Sequence, residues 1–154
     1  MSTRAHIEVK GNDVLIYKHS DGYPEGVIPV LKEVLPKFIR ERGNDTEYAI
    51  AQIVRAFARS EEKRREKLRK EYEKELEQAR EDGNEEEINR LEYVIENYSE
   101  PSMTGWGLCT KPYSDINYHY EVDLSKKKIK IHNTHTRITD HVDIHTSDKE
   151  KAHQ

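Results

Sequence analysis

Tyr17-Lys18-His19-Ser20-Asp21-Gly22-Tyr23-Pro24-Glu25-Gly26 is the stretch on which the fold turns. An alternating pattern ends here and a helical pattern begins. Upstream, Ala5, Ile7 and Val9 alternate with Arg4, His6 and Glu8, so Thr3–Lys10 reads as a half-buried strand. Gly11-Asn12-Asp13 is a hairpin turn cluster, and Val14–His19 reads as the partner strand. Downstream, Val27, Val30, Leu31, Val34, Leu35, Phe38 and Ile39 recur at helical spacing. Pro29 suits an early turn of that helix, whereas Pro36 is expected to kink or split it.

The corner also carries chemistry. Strand-to-helix loops often hold ligand groups, because a rigid scaffold fixes them while helix N-terminal amides attract anions. His19 with Asp21 has the composition of a general base and its orienting acid. The same groups could bond ribose and base edges. A plainer reading is that Asp21-Gly22 makes the turn, Pro24 stiffens it and Glu25 favours the helix start. A simple turn gains little from a histidine and two tyrosines, so His19, Asp21 and Tyr23 are expected to share a concavity with Arg4, while Gly22 and Gly26 serve backbone geometry.

Asp45 or Thr46 suits the cap of a second helix, whose first half is apolar on one face through Tyr48, Ile50, Ala51, Ile53, Val54, Phe57 and Ala58. After Ser60 the character changes. Glu61–Asp82 is almost wholly charged, with Leu68, Tyr72, Leu76 and Ala79 as a narrow stripe. Gly83-Asn84 marks a turn, and Ile88, Leu91, Ile95 and Tyr98 form a second stripe. Two such stripes describe an antiparallel helical hairpin, either a solvated one laced by ion pairs or an oligomerisation and docking arm. Ser99-Glu100-Pro101-Ser102 returns the chain to the body. Thr104–Cys109 reads as an irregular strand around Trp106, which is either core or a stacking wall for a ligand. Asp115–Leu124 and Lys128–His132 are strands, Val142-Asp143-Ile144 adds a short edge strand, and the polar last residues fray.

Of 154 residues, 34% are hydrophobic and 36% charged, which fits one small body with a charged helical extension over 60–98. A net charge of −4 gives no basic excess, so nucleic acid is an unlikely partner. The single Cys109 excludes an internal disulfide and fits a reducing cytoplasm. No apolar window has the length of a membrane span, so no transmembrane helix is expected, and the opening residues lack the apolar stretch of a signal peptide. His141, Asp143 and His145 alternate and could share a strand face, but histidines in a polar terminus are more often solvated, and no metal or cofactor is expected.

The opening Met1-Ser2-Thr3-Arg4-Ala5-His6-Ile7, the Tyr17–Gly26 run, Gly105-Trp106-Gly107-Leu108, Asp115-Ile116-Asn117-Tyr118 and Tyr120-Glu121-Val122-Asp123-Leu124 together resemble a family of small proteins in phages, prophages and other mobile elements. Its members start with Ser-Thr-Arg-Ala and carry a His-x-Asp-Gly-Tyr-Pro-Glu-Gly corner. The resemblance covers both ends and the first helix, and the hairpin looks like an insertion. It carries no enzymatic activity, but implies accessory phage biology, with antagonism of host defence as a niche.

The expected fold is α+β over a single domain, 1–154: a small antiparallel sheet from the N- and C-terminal hairpins, two packed helices and a projecting charged helical hairpin. The leading functional expectation is a non-enzymatic accessory protein in the host cytoplasm, binding a host nucleotide signal or a host defence protein to antagonise immunity. Arg4 would meet a phosphate, Trp106 or Tyr23 would stack on a base, and His19, Asp21 and Glu25 would bind ribose or base edges. Two carboxylates beside a phosphate count against the nucleotide version. The alternatives are a nucleotide- or nucleic-acid-directed hydrolase using His19 and Asp21, and an assembly protein oligomerising through 60–98.

Overall fold

The computed structural model describes residues 3–98 and 105–146. The expected return segment 99–102, Met1-Ser2 of the opening motif, Thr104 and the polar end of the chain lie outside the described residues. The elements in order are β1 (Ala5–Val9), β2 (Leu15–Lys18), α1 (Pro24–Arg42), α2 (Thr46–Asp82), α3 (Glu85–Tyr98), β3 (Trp106–Cys109), β4 (Tyr118–Asp123), β5 (Lys128–Asn133) and β6 (Thr139–Asp143). The fold is α+β. The chain divides into two compact units, one of 1–57 with 104–154 and one of 58–103. No described helix is long and apolar enough to cross a membrane.

The first unit holds a six-stranded sheet in the order β3-β2-β1-β4-β5-β6. The terminal hairpins do meet in one sheet, but the sheet is mixed. β1 pairs β4 in parallel, with Ala5 opposite Tyr118, His6 opposite His119 and Glu8 opposite Glu121. All other neighbours are antiparallel. A wholly antiparallel sheet was the expectation, and the direction of a long-range pairing has no local signature that could reveal it.

Alternation sends Ala5, Ile7, Val9, Ile16, Tyr120, Val122, Ile129 and Ile131 to one face. There they meet Val27, Leu31, Leu35, Phe38 and Ile39 of α1 and Ala49, Ile53 and Phe57 of α2. Each fully buried Ile or Leu contributes roughly 1.5–3 kcal/mol relative to exposure. α1 starts with Pro24 at its first position, where a missing N–H costs nothing, and ends at Gly43, whose φ of 63° suits glycine. Pro29 and Pro36 lie inside this one helix, so Pro36 does not split it. The buried residues on both sides of Pro36 keep the helix together through packing, against the loss of one backbone hydrogen bond.

In the second unit, Leu76 and Ala79 of one arm bury against Leu91 of the other, with Tyr72, Ile88 and Ile95 packed around them. Gly83 turns the chain at φ 65°, and Asn84 Oδ1 accepts the Glu87 N–H at 3.2 Å as an N-cap. Tyr72 stacks on Tyr98 at 5.7 Å, and the Arg65 guanidinium lies 4.9 Å from the Tyr98 ring. The two stripes therefore bury their apolar surface on each other.

The corner is sewn into the sheet. Gly22 donates its N–H to Thr3 O at 2.9 Å, and its carbonyl accepts the buried Tyr120 hydroxyl at 2.6 Å. Burial raises the Tyr120 hydroxyl well above its ordinary range, so it remains a donor. Asp21 takes φ 56°, a left-handed conformation that Asp tolerates. Gly22 is needed for close approach: a Cβ there would lie 2.7 Å from Ala5 Cβ and 2.8 Å from Thr3 O. Gly22→Val should therefore destabilise by about 1–3 kcal/mol. Tyr120→Phe, which strips the buried Gly22 carbonyl of its donor, should cost about 1–3 kcal/mol. Urea denaturation checks both, and unchanged midpoints would show that the corner does not bear on β1 and β4.

Candidate functional site

Alternation on β1 that sends Ala5, Ile7 and Val9 inward sends His6 and Glu8 to the opposite, outer face of the sheet. Register then aligns one rung across it: Gly107, Tyr17, His6, His119, His132 and Thr139, from β3 to β6. The next rung carries Cys109, Leu15, Glu8, Glu121, Lys130 and His141. Three histidines thus stand side by side on three adjacent strands. His119 presents Nε2 to the Glu8 carboxylate at 2.9 Å, and His132 Nδ1 lies 2.9 Å from Thr139 Oγ1.

β3 runs parallel to β1 and β4 but lies two strands from β1 and three from β4. The chain leaves β3 at the Glu8 level and rejoins β4 at the Ala5 level. Residues 110–117 must therefore run diagonally back across β2 and β1. They do so on the outer face, where Tyr113 donates its N–H to His6 Nε2 at 3.0 Å and sets its ring against Tyr17, centroids 4.4 Å apart and tilted by 34°. Arg4 pairs with Asp115, and the Arg4 N–H donates to Asn117 Oδ1 at 3.0 Å. His135 Nε2 lies 2.7 Å from Asn117 Nδ2 and pins the far end of the strap.

His6 is fully buried beneath this strap. Because Nε2 accepts the Tyr113 N–H, it carries no proton, so neutral His6 holds its proton on Nδ1. That nitrogen has no hydrogen-bond partner among the described residues. Burial pushes the His6 basicity down, the neighbouring His119 pushes it further down, and Asp115 partly opposes them.

The residues singled out at the corner separate into pairs. His19 is exposed, with Nδ1 3.3 Å from the Tyr17 hydroxyl. The Tyr23 hydroxyl donates to Asp21 at 3.4 Å, and no hydrogen bond joins His19 to Asp21 among the described residues. Arg4 is engaged by Asp115 rather than open to a phosphate. Glu25 is exposed in the first turn of α1. Trp106 stands opposite Lys18, whose ammonium lies 4.6 Å from the Phe57 ring, so Trp106 belongs to the core-side face and not to the face of His19. The terminal histidines are dispersed, with His132 and His141 on different rungs. No group of three or more metal-ligating residues forms among the described residues. Burial raises the Cys109 thiol, which weakens it as a nucleophile.

The outer-face histidines had a sequence signal of their own: His6-Ile7-Glu8-Val9 and His119-Tyr120-Glu121-Val122 repeat one pattern. The parallel seam lays the repeats side by side in register. No family model, curated protein or solved structure matches this chain.

His6 makes stability depend on pH. The unfolded chain takes up a proton near the ordinary value of 6.5, while the folded chain resists it to lower pH. The contribution of neutral His6 is whole above 6.5 and falls away as pH drops from there to the lower folded value. Urea midpoints measured from about pH 7.5 to about pH 5 should decline less in His6→Gln, whose carbonyl can still accept the Tyr113 N–H, than in the parent. Equal declines would place the acid-sensitive group elsewhere.

Proposed function

We propose that this chain is an accessory protein of a phage or mobile element that binds a host-derived nucleotide signal on its outer sheet face and so blunts host immunity. The observation that carries the binding reading is the Tyr17–Tyr113 pair, with Tyr113 exposed at 49%, beside three histidines in register. An exposed aromatic ring offers a stacking surface for any base, and histidine N–H groups can meet sugar and phosphate oxygens. The corner suits a phosphate less well, because Asp21 and Glu25 are acidic and Arg4 already has a carboxylate partner. The immune setting rests on the resemblance of the amino-terminal and corner motifs to mobile-element proteins. Withdrawal of the signal by binding is sufficient for such a role.

Calorimetry against a panel of cyclic and ADP-ribose-type nucleotides tests the reading, with mass spectrometry of whatever the protein retains. Tyr113→Ala should weaken binding roughly tenfold or more, the usual worth of a base stacked on an aromatic ring. Trp106→Ala, on the other face, should leave it unchanged. Binding lost with Trp106 but not with Tyr113 would move the site to the core-side face. No binding to any nucleotide would leave a host defence protein as the partner.

A further inference from the structure

We propose that His119 and His132 form a metal-independent acid–base pair that cleaves a ribonucleotide phosphodiester bearing a free 2′-hydroxyl. This inference rests on the outer face being the nucleotide surface and goes beyond binding. The two residues are directly opposite on β4 and β5 and share the outer face. Cβ atoms so placed are about 4.5–5.5 Å apart. Their rings are drawn in opposite directions: His119 toward Glu8 on β1, His132 toward Thr139 on β6. Among the described residues, each ring has one nitrogen held and one left over, Nδ1 on His119 and Nε2 on His132. The His119 side chain is 30% exposed and His132 is half-buried, so both are open to a ligand, unlike His6.

The partners assign the roles. A carboxylate can only accept, so Glu8 holds the His119 proton on Nε2 and leaves Nδ1 as the acceptor, which makes His119 the base; His132, whose Nδ1 meets the Thr139 hydroxyl, is the acid through Nε2. His119 Nδ1 removes the 2′-hydroxyl proton as the 2′-oxygen bonds to phosphorus. The bond from phosphorus to the 5′-oxygen breaks, and that oxygen takes the Nε2 proton of protonated His132. The products are a 2′,3′-cyclic phosphate and a 5′-hydroxyl. No water, metal or redox partner is consumed, and solvent exchange restores the two protons. Lys130, one rung on and on the same face, supplies positive charge for the phosphate. Glu8 and Glu121 break up any continuous basic groove, which favours a short or cyclic substrate over a long polyanion.

The full chain is incubated with EDTA and either a linear 3′,5′-linked diribonucleotide or a cyclic 3′,5′-linked one, and products are read by liquid chromatography and mass spectrometry. Cleavage of either to a 2′,3′-cyclic phosphate supports the proposal, and which one is cut identifies the source. The rate should show a bell-shaped pH profile and fall at least about 100-fold in His119→Gln and in His132→Gln. Substrates methylated on the 2′-oxygen should be inert, a control that does not depend on how any variant folds. Cleavage that persists with methylated substrate or in both variants overturns the proposal. Binding of these nucleotides by calorimetry without cleavage also overturns it, yet leaves the binding reading standing. Neither binding nor cleavage of these two substrates overturns the proposal, and the binding reading falls with it only when the whole nucleotide panel also fails to bind.

Discussion

The parallel pairing of β1 with β4 is the constraint on which the rest of the body depends. It joins the two terminal hairpins into one sheet and fixes His6 opposite His119. Because side chains alternate, this one register sets both faces. Ile7 beside Tyr120 and Val9 beside Val122 go to the core, while His6 beside His119 and Glu8 beside Glu121 go outward. A slip of one residue would exchange them, sending charged groups under α1 and Ile7 into the strap. Such a slip would cost many buried apolar side chains at once, so the seam is strongly specified despite joining segments over a hundred residues apart.

Both irregular segments of the body lean on the same strands. The corner gives a donor to Thr3 and takes one from Tyr120, so its glycine is held between the approach to β1 and the middle of β4. The strap 110–117 is held from beneath by His6 and from its end by Arg4. The exposed Arg4–Asp115 pair adds little energy by itself, since side chains 34% and 59% exposed are well screened. His6 matters more. It is buried, its Nε2 accepts the Tyr113 amide, and its remaining N–H is unanswered among the described residues. A polar group retained at such a cost beneath a strap that carries the exposed Tyr113 couples the packing of the sheet to the presentation of the outer face.

Much of the architecture was legible because it rests on local periodicity. The β1 and β2 alternation, the stripe of α1, the paired stripes of the hairpin and the Asn84 turn all come from spacing within one segment. The mixed sheet was not legible, since parallel and antiparallel partners look alike in one strand. Continuity of α1 through Pro36 has no local sign, because tertiary burial of Leu35, Phe38 and Ile39 overrides the local penalty. At the corner the glycines suit backbone geometry, and Gly22 does serve it, through close approach to Ala5 rather than positive φ. The histidines of the outer face are not legible as a group because they lie 113 and 13 residues apart and only the register unites them. The repeated His-x-Glu-Val was the one trace of that union in the sequence.

The seam, the strap and the tautomer of His6 meet in a single hydrogen bond, from the Tyr113 amide to His6 Nε2. Scalar coupling across that bond, measured by nitrogen-detected NMR on uniformly labelled protein at neutral pH, tests the account most directly. The account predicts a resolved coupling between the Tyr113 amide nitrogen and His6 Nε2, with the ring proton on Nδ1. A His6 ring protonated on Nε2, with no coupling to Tyr113, would contradict it.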